Sequence, residues 1–174
     1  MTQEQIKLFK EQIEFCYGNI EWSHKIHEKA ADRFSSICNW KSWAELILSF
    51  IVGCDVLSQM RSESPVISGI LIGSSAMLAF LTSVSKAFNF EKRRDQHTAT
   101  AKSLWELRET YRSFKTDIPA GLYTVESFVQ KRKELQQLAS EIYKQAPRTF
   151  NWAYDQANKD FKEGKVTFEH LSEK

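Results

Sequence analysis

The chain has 174 residues, of which 42% are hydrophobic and 26% are charged, and its formal net charge is +2. This length is that of one domain, and a charge this close to zero, with Lys and Glu mixed along the polar segments, argues against direct nucleic-acid binding. The three cysteines share no zinc-ligand spacing, so they are expected to be reduced. The mean hydropathy of −0.44 averages polar ends with a short apolar middle and leaves a membrane hairpin open.

The first segment, residues 1–40, predicts one long helix. Its opening MTQEQIKLFK is polar and amphipathic, unlike a signal peptide, so the amino terminus is expected to be cytoplasmic. Apolar residues recur every seventh position, which is typical of a helix packed on a partner helix as in a coiled coil. The two series are Ile6, Ile13, Ile20, His27 and Phe34, then Phe9, Cys16, Ser23, Ala30 and Ile37.

The second segment, residues 41–86, predicts a transmembrane hairpin. Val66–Ser85 carries no charge and as a helix would measure about 30 Å, the thickness of a bilayer core. Gly69, Gly73 and Ser75 belong to a pattern of small residues that allows membrane helices to pack closely. The stretch Trp40–Met60 is weaker, and we interpret it as the returning helix. A central helix of a soluble all-α bundle is the alternative for Val66–Ser85.

Charges flanking the hairpin predict its orientation. Basic residues precede it and follow it, whereas the tip RSESPV has only Arg61 beside Glu63. By the positive-inside rule both arms, and hence both termini, are expected to be cytoplasmic. The flanking basic residues are Lys29, Arg33, Lys41, Lys86, Lys92, Arg93 and Arg94.

The third segment, residues 87–164, predicts more cytoplasmic helices. The second hairpin helix is expected to continue unbroken, with Phe90, His97, Leu104, Tyr111 and Ile118 on one face. A turn at 117–121 ends it. Thr124 then caps a helix running to about Gln145, and Pro147 begins a last helix that Gly164 stops. The inward residues of the helix after Thr124 are expected to be Phe128, Leu135, Leu138 and Ile142, and residues 165–174 form a polar tail.

Two acids in the first hairpin helix are candidates for function. An acid within a spanning helix is costly unless it faces water, protein or the interface. Glu45 and Asp55 either lie at the two headgroup layers or face a pore. Our hypothesis is that, in an oligomer, Asp55 and the hydroxyls around Ser74 line a cation-preferring path.

Histidines offer the other candidate. His24 and His27 share a helical face, and His97 on the opposite arm is expected to come near them. A pH-sensing or metal cluster is one interpretation, with His27 and His97 as the switch; histidines hydrogen-bonded within a helical seam are the favoured alternative. No catalytic, cofactor or metal motif is found.

Three stretches carry a family resemblance: SHKIHEKAADRF, KAFNFEKRRDQHTATAKSLWELRETYRSFKTDI and RKELQQLASEIYKQAPRTFNWAYDQA. They resemble the SLATT family, the prokaryotic two-transmembrane effector domains found beside nucleotide-signalling and related conflict systems. The similarity covers residues from about Cys16 to Ala157, and it implies one domain over 1–174 with no catalytic motif.

The resemblance implies an effector in antiphage defence. Such a chain waits for a sensor's signal, then forms a homo-oligomer that breaches the bacterial inner membrane and stops the infected cell (abortive infection). Its partner would be a nucleotide-signalling enzyme or a reverse transcriptase encoded alongside, with membrane lipid around the hairpin.

The expected fold is therefore all-α: a two-helix transmembrane hairpin continuous with long cytoplasmic helices and a small C-terminal helical bundle. The alternative function is a soluble or peripheral helical subunit that regulates or scaffolds an enzyme such as a reverse transcriptase. An enzyme is the weakest interpretation, because no pocket is indicated.

Overall fold

A computed structural model describes residues 2–59 and 64–164, and this part of the chain is helical with no strand. The predicted all-α fold is confirmed. The helices in chain order are α1 (Gln3–Gln59), α2 (Pro65–Phe88), α3 (Phe90–Asp117), α4 (Val125–Gln145) and α5 (Asn151–Lys162).

Helix α1 joins the first two predicted segments without a break. It runs from Gln3 to Gln59 because no proline interrupts it. Helix α2 begins with Pro65 at its first position, where a missing amide hydrogen costs nothing. The predicted tip residues Arg61 and Glu63 lie outside the described residues.

The chain divides into two compact units. The bundle unit comprises residues 1–31 and 95–174, and the hairpin unit comprises residues 32–94. The domain boundaries expected from the sequence stay a prediction.

Two clusters form the core of the bundle unit. The larger cluster joins α1, α3 and α4, and the smaller one joins α1 and α5 through Ile26, Ala30, Ala153 and Ala157. Phe128 of α4 stacks on Phe9 with ring centroids 3.8 Å apart. The larger cluster contains Ile13, Tyr17, Ile20, Leu104, Leu107, Tyr111, Phe114, Ile118, Phe128 and Leu135.

The predicted apolar series therefore face the core. Ile13, Ile20 and His27 of α1 are buried. Leu104 and Tyr111 of α3 are buried as well. One residue of α4 was misjudged: Leu138 is 49% exposed, because the buried side of that helix follows the seven-residue series of Phe128, Leu135 and half-buried Ile142.

The expected unbroken second arm is interrupted at one residue. Asn89 caps α2 in the left-handed conformation, with φ of 49°, and α3 begins at Phe90. Asparagine tolerates this conformation better than other residues with a side chain. The amide of Asn89 donates to the carbonyl of Ser85 (2.9 Å), and its carbonyl accepts from the amide of Arg93 (3.2 Å), so both bonds stop at Asn89. The arm is therefore divided at a kink, with α2 before Asn89 and α3 after it.

The remaining boundaries follow local chemistry. Gly121, with φ of 75°, lies in the predicted turn after α3. Thr124 caps α4 through a reciprocal pair with Ser127, in which the amide of each donates to the hydroxyl of the other (3.2 and 2.9 Å). The prediction that Pro147 starts the last helix was wrong, because residues 147–150 belong to no helix, Phe150 has an extended backbone, and α5 begins at Asn151. The predicted tail, residues 165–174, lies outside the described residues.

Candidate functional site

The hairpin unit exposes a large apolar surface. Two stretches, within Gln3–Gln59 and within Pro65–Asp117, are long and apolar enough to cross a membrane, and 0% of the most apolar window in either is buried. The apolar part of a core helix in a soluble chain is usually covered by its own fold, and these two apolar windows are not. The most exposed large side chains include Trp43, Leu46, Ile47, Phe50, Leu57, Val66, Ile72 and Phe80.

Polar side chains of α1 occupy the opposite face of the hairpin. Half-buried or buried residues recur three or four positions apart on α1, which is the spacing of one helical face. Gln59, the last of them, donates a side-chain hydrogen bond to Ser68 of α2, so this face meets α2. The series on α1 is Phe34, Cys38, Lys41, Glu45, Leu48, Val52, Asp55 and Gln59.

Both predicted acids belong to this inner face. Glu45 lies 3.9 Å from Lys41, which also contacts Glu91 of α3 at 3.4 Å. The carboxylate oxygen Oδ2 of Asp55 is buried and has no hydrogen-bond partner among the described residues. A buried acceptor without a partner loses its hydration energy uncompensated. Among the acids of the described hairpin residues, Asp55 alone has a buried side-chain oxygen without a hydrogen-bond partner.

The predicted small residues of α2 divide between its faces. Ser74 is half-buried, and its hydroxyl donates to the carbonyl of Leu71 at 3.2 Å. Gly69, Gly73 and Ser75 are exposed, and a Cβ added at either glycine would meet nothing within 4 Å. Close packing at these glycines would therefore need a surface other than the described residues of this chain.

The predicted approach of the histidines is present in the bundle unit. Nδ1 of His27 and Nδ1 of His97 lie 3.0 Å apart, and the two side chains are 3% and 1% exposed. Because two neutral rings hydrogen-bond only when one donates and the other accepts, this pair holds a single proton between these atoms. Nδ1 of His24 is 2.9 Å from the carbonyl oxygen of Ala101.

Burial sets the protonation of these rings. Desolvation, followed by the charges of His97 and His24, lowers the pKa of His27 from 6.5 to about 4. Desolvation also lowers the pKa of His24, and the hydrogen bond to Ala101 opposes it. The His27 ring is therefore uncharged near neutral pH. Within residues 2–59 and 64–164, no three histidine, cysteine or acidic side chains are grouped to hold a metal ion.

One functional contact was missed by sequence reasoning. Lys29 is one of the flanking basic residues from which the orientation of the hairpin was predicted. Its ammonium lies 2.5 Å from the carboxylate of Asp160, which is 4% exposed. On the same side, the Trp22 ring stacks on Phe161 at 4.7 Å. The i, i+7 spacing of Trp22 and Lys29 indicates only that they share a face of α1 and does not indicate their partners on α5. Together these contacts attach α5 to α1.

Comparison with protein families matches residues 9–171 to the SMODS and SLOG-associating 2TM effector domain family 4. The chain belongs to the SLATT family. The resemblance seen in the sequence is confirmed, and it extends across both units. SLATT chains are two-transmembrane effector domains associated with SMODS and SLOG proteins. No curated protein and no solved structure matches the chain.

Proposed function

We propose that this SLATT chain is the membrane effector of a bacterial antiphage system, acting by assembly and not by catalysis. The observation that carries the proposal is the hairpin: the exposed face of its apolar helices is apolar, and the two acids within the first of them, Glu45 and Asp55, lie on the inner face. Lipid is the surrounding that suits such a distribution, because polar groups in a bilayer must be shielded by protein. The hairpin then crosses the inner membrane twice.

Charge supports the orientation in this proposal. Lys41 lies at the start of the first span, and Lys86, Lys92 and Arg93 follow the second. Since cytoplasmic flanks of membrane helices are enriched in Lys and Arg, both arms and both termini are placed in the cytoplasm.

In the quiet state, the inner face of the hairpin shields its polar groups. On activation, a change in the packing of the two helices turns Glu45, Asp55 and Ser74 toward a lumen formed between several copies. Gly69, Gly73 and Ser75, which are exposed on α2, supply the close contacts between copies. A path lined by acids favours cations.

The trigger reaches the hairpin through α1, which contributes residues to both units. The family's association with SMODS and SLOG proteins supports a sensor encoded alongside. The proposed sensor is a nucleotide-signalling enzyme or, as the second possibility, a reverse transcriptase. Opening of the membrane would halt the infected cell.

Fractionation followed by dye release tests the proposal. The full chain, expressed with its neighbouring genes, should stay in the membrane pellet after a carbonate wash and release dye from liposomes once activated. A chain that washes off, or that purifies without detergent as a defined complex with an enzyme, would favour the regulatory-subunit alternative and refute the effector proposal.

Two variants test the path itself. Asp55→Asn removes the charge at constant size, so the cation preference in planar bilayers should fall. Ser74→Leu fills the inner face, so dye release should fall as well. Glu106→Gln makes the same acid-to-amide change on an exposed residue of α3 and should alter neither property. Unchanged ion preference and unchanged release in both test variants would count against a path along this face.

A further inference from the structure

A small groove lies where α2 ends. It has a volume of about 280 Å³ and belongs entirely to the hairpin unit. This is just below the usual range for a small-molecule site, so the groove suits a compact polar group rather than a long chain. Its lining residues are Lys41, Ser85, Lys86, Asn89, Phe90 and Glu91.

The groove is lined by more positive than negative groups. Among the lining residues, Lys41 and Lys86 contribute two ammonium groups against the single carboxylate of Glu91. Glu45 lies outside the lining, 3.9 Å from Lys41, so Lys86 supplies the positive charge that has no carboxylate of the lining against it. Lys41 donates one hydrogen bond to Glu91, at 3.4 Å, and an ammonium has three donors. Glu91 is 61% exposed, and an ion pair this exposed contributes little energy. An anion entering the groove can therefore displace Glu91 at low cost.

The backbone adds to this positive character. Helix α3 begins at Phe90, directly after the kink at Asn89. The first turn of a helix leaves amide hydrogens without partners inside the helix, and these can donate to an anion. The last turn of α2 lines the same groove at Ser85 and Lys86 and its dipole has the opposite sign, so the two dipoles offset each other and the backbone contributes only these amide hydrogens. Residues of that turn, Phe90 and Glu91, line the groove. The lysines and the helix end thus attract the same kind of ligand.

Exposed aromatic side chains indicate the depth of the groove in the proposed bilayer. Trp40, Trp43 and Phe88 are 78%, 63% and 56% exposed, and all three belong to the same unit as the groove. Exposed tryptophans next to a spanning segment are typical of the headgroup layer of a bilayer. A site for a free anion in solution would not require exposed tryptophans beside it.

We propose that this groove binds the headgroup phosphate of an anionic phospholipid on the cytoplasmic side. The inference rests on the proposed membrane insertion of the hairpin. The phosphate oxygens accept hydrogen bonds from the ammonium groups of Lys41 and Lys86, and the acyl chains lie along the exposed apolar face. Because the site joins α1 to the start of α3, lipid binding would hold the arms of the hairpin together.

Native mass spectrometry of the full chain in detergent, with equal phosphatidylglycerol and phosphatidylcholine, tests the site. Wild type should retain phosphatidylglycerol preferentially. Each lysine near an anionic headgroup contributes about fivefold, so Lys41→Gln/Lys86→Gln should lower this preference roughly 25-fold. The matched control is Lys92→Gln/Arg93→Gln, which removes the same charge from exposed residues of the same segment outside the groove lining.

The outcomes separate this site from the hairpin proposal. Equal binding of the two lipids, or an equal loss in both double variants, by a chain that resists a carbonate wash would overturn the groove and leave the inserted hairpin standing. Displacement of phosphatidylglycerol by the same concentration of inorganic phosphate would also overturn it. A wild-type chain released by carbonate would overturn both proposals. Loss confined to Lys41→Gln/Lys86→Gln, with that variant still carbonate-resistant, supports the groove.

Discussion

The buried histidine pair should make the bundle unit sensitive to mild acid. The perturbation is a pH change from 7.5 to 5.0, compared between wild type and His27→Gln. In the unfolded chain, His27 takes up a proton below about pH 6.5. In the folded chain it does so only near pH 4, because burial and His97 oppose the charge.

The sign and size of the change in stability follow from the difference in proton binding between the folded and unfolded states. Since the folded pKa is the lower one, the unfolded state binds more protons between pH 4 and 6.5, and stability falls as the pH falls through this window. At pH 5.0 these two pKa values give a loss of about 2 kcal/mol from His27 alone.

The groups around the pair do not offset this loss. His24 on α1 and His97 on α3 both oppose protonation of His27. Arg148, which is cationic, and His27 both line a second cavity, which belongs to the bundle unit. Tyr143 of α4 lines it as well and donates its hydroxyl hydrogen to the hydroxyl oxygen of Ser23. Asp160 of α5 lies against Lys29.

Urea unfolding of the full chain in detergent micelles, followed by tryptophan fluorescence, measures the effect, because Trp22 and Trp152 pack against the smaller core cluster. His27→Gln should lose about 2 kcal/mol less than wild type between the two pH values. Leu135→Ala is the control: a buried leucine lost from α4 lowers stability by about 2–5 kcal/mol at both pH values without changing proton uptake. An identical pH dependence in wild type and His27→Gln would refute the reasoning.

Three further predictions concern single contacts, each measured by the same urea unfolding at pH 7.5. Thr124→Ala removes the cap of α4 and should lower the free energy of unfolding by about 1 kcal/mol, whereas Thr124→Ser should change it little. Equal losses in the two variants would show that the hydroxyl cap does not stabilise α4. Lys29→Met leaves the carboxylate of Asp160 buried without its ammonium and should cost about 3–5 kcal/mol, and the double variant with Asp160→Leu should recover part of it. No recovery would show that charge burial is not the cause. Asn89→Val places a β-branched residue at positive φ and should cost about 1–3 kcal/mol, with Asn89→Gly near neutral; a tolerated valine would mean that the kink is not required.

The seven-residue repeat of apolar residues was sufficient to predict most of the helical packing. Ile13, Ile20, His27 and Phe34 predicted one face of α1, and all four are buried. The same repeat continues to Lys41, Leu48 and Asp55, which the structure places on the inner face of the hairpin. Position along the repeat could therefore have assigned Asp55 to that face. Its polar character directed attention to a pore or headgroup layer instead.

Other features depend on contacts that spacing does not reveal. The start of α5 was placed too early because Pro147 is a common first residue of helices, whereas Phe150 is extended and its ring stacks on Trp152 at 5.6 Å. The kink at Asn89 had no sequence signal stronger than the asparagine itself. The partner of Lys29 lies far along the chain, so no local pattern indicates the pair with Asp160.

The face shared by the two hairpin helices also bears on how the chain is made. In the proposed topology, a ribosome delivers the first hydrophobic helix before the second, and at that moment Asp55 and Gln59 are not yet covered by α2. The hydrogen bond between Gln59 and Ser68 forms only when α2 has emerged. The insertion machinery would thus have to retain the first helix until its companion arrives and release both as a pair.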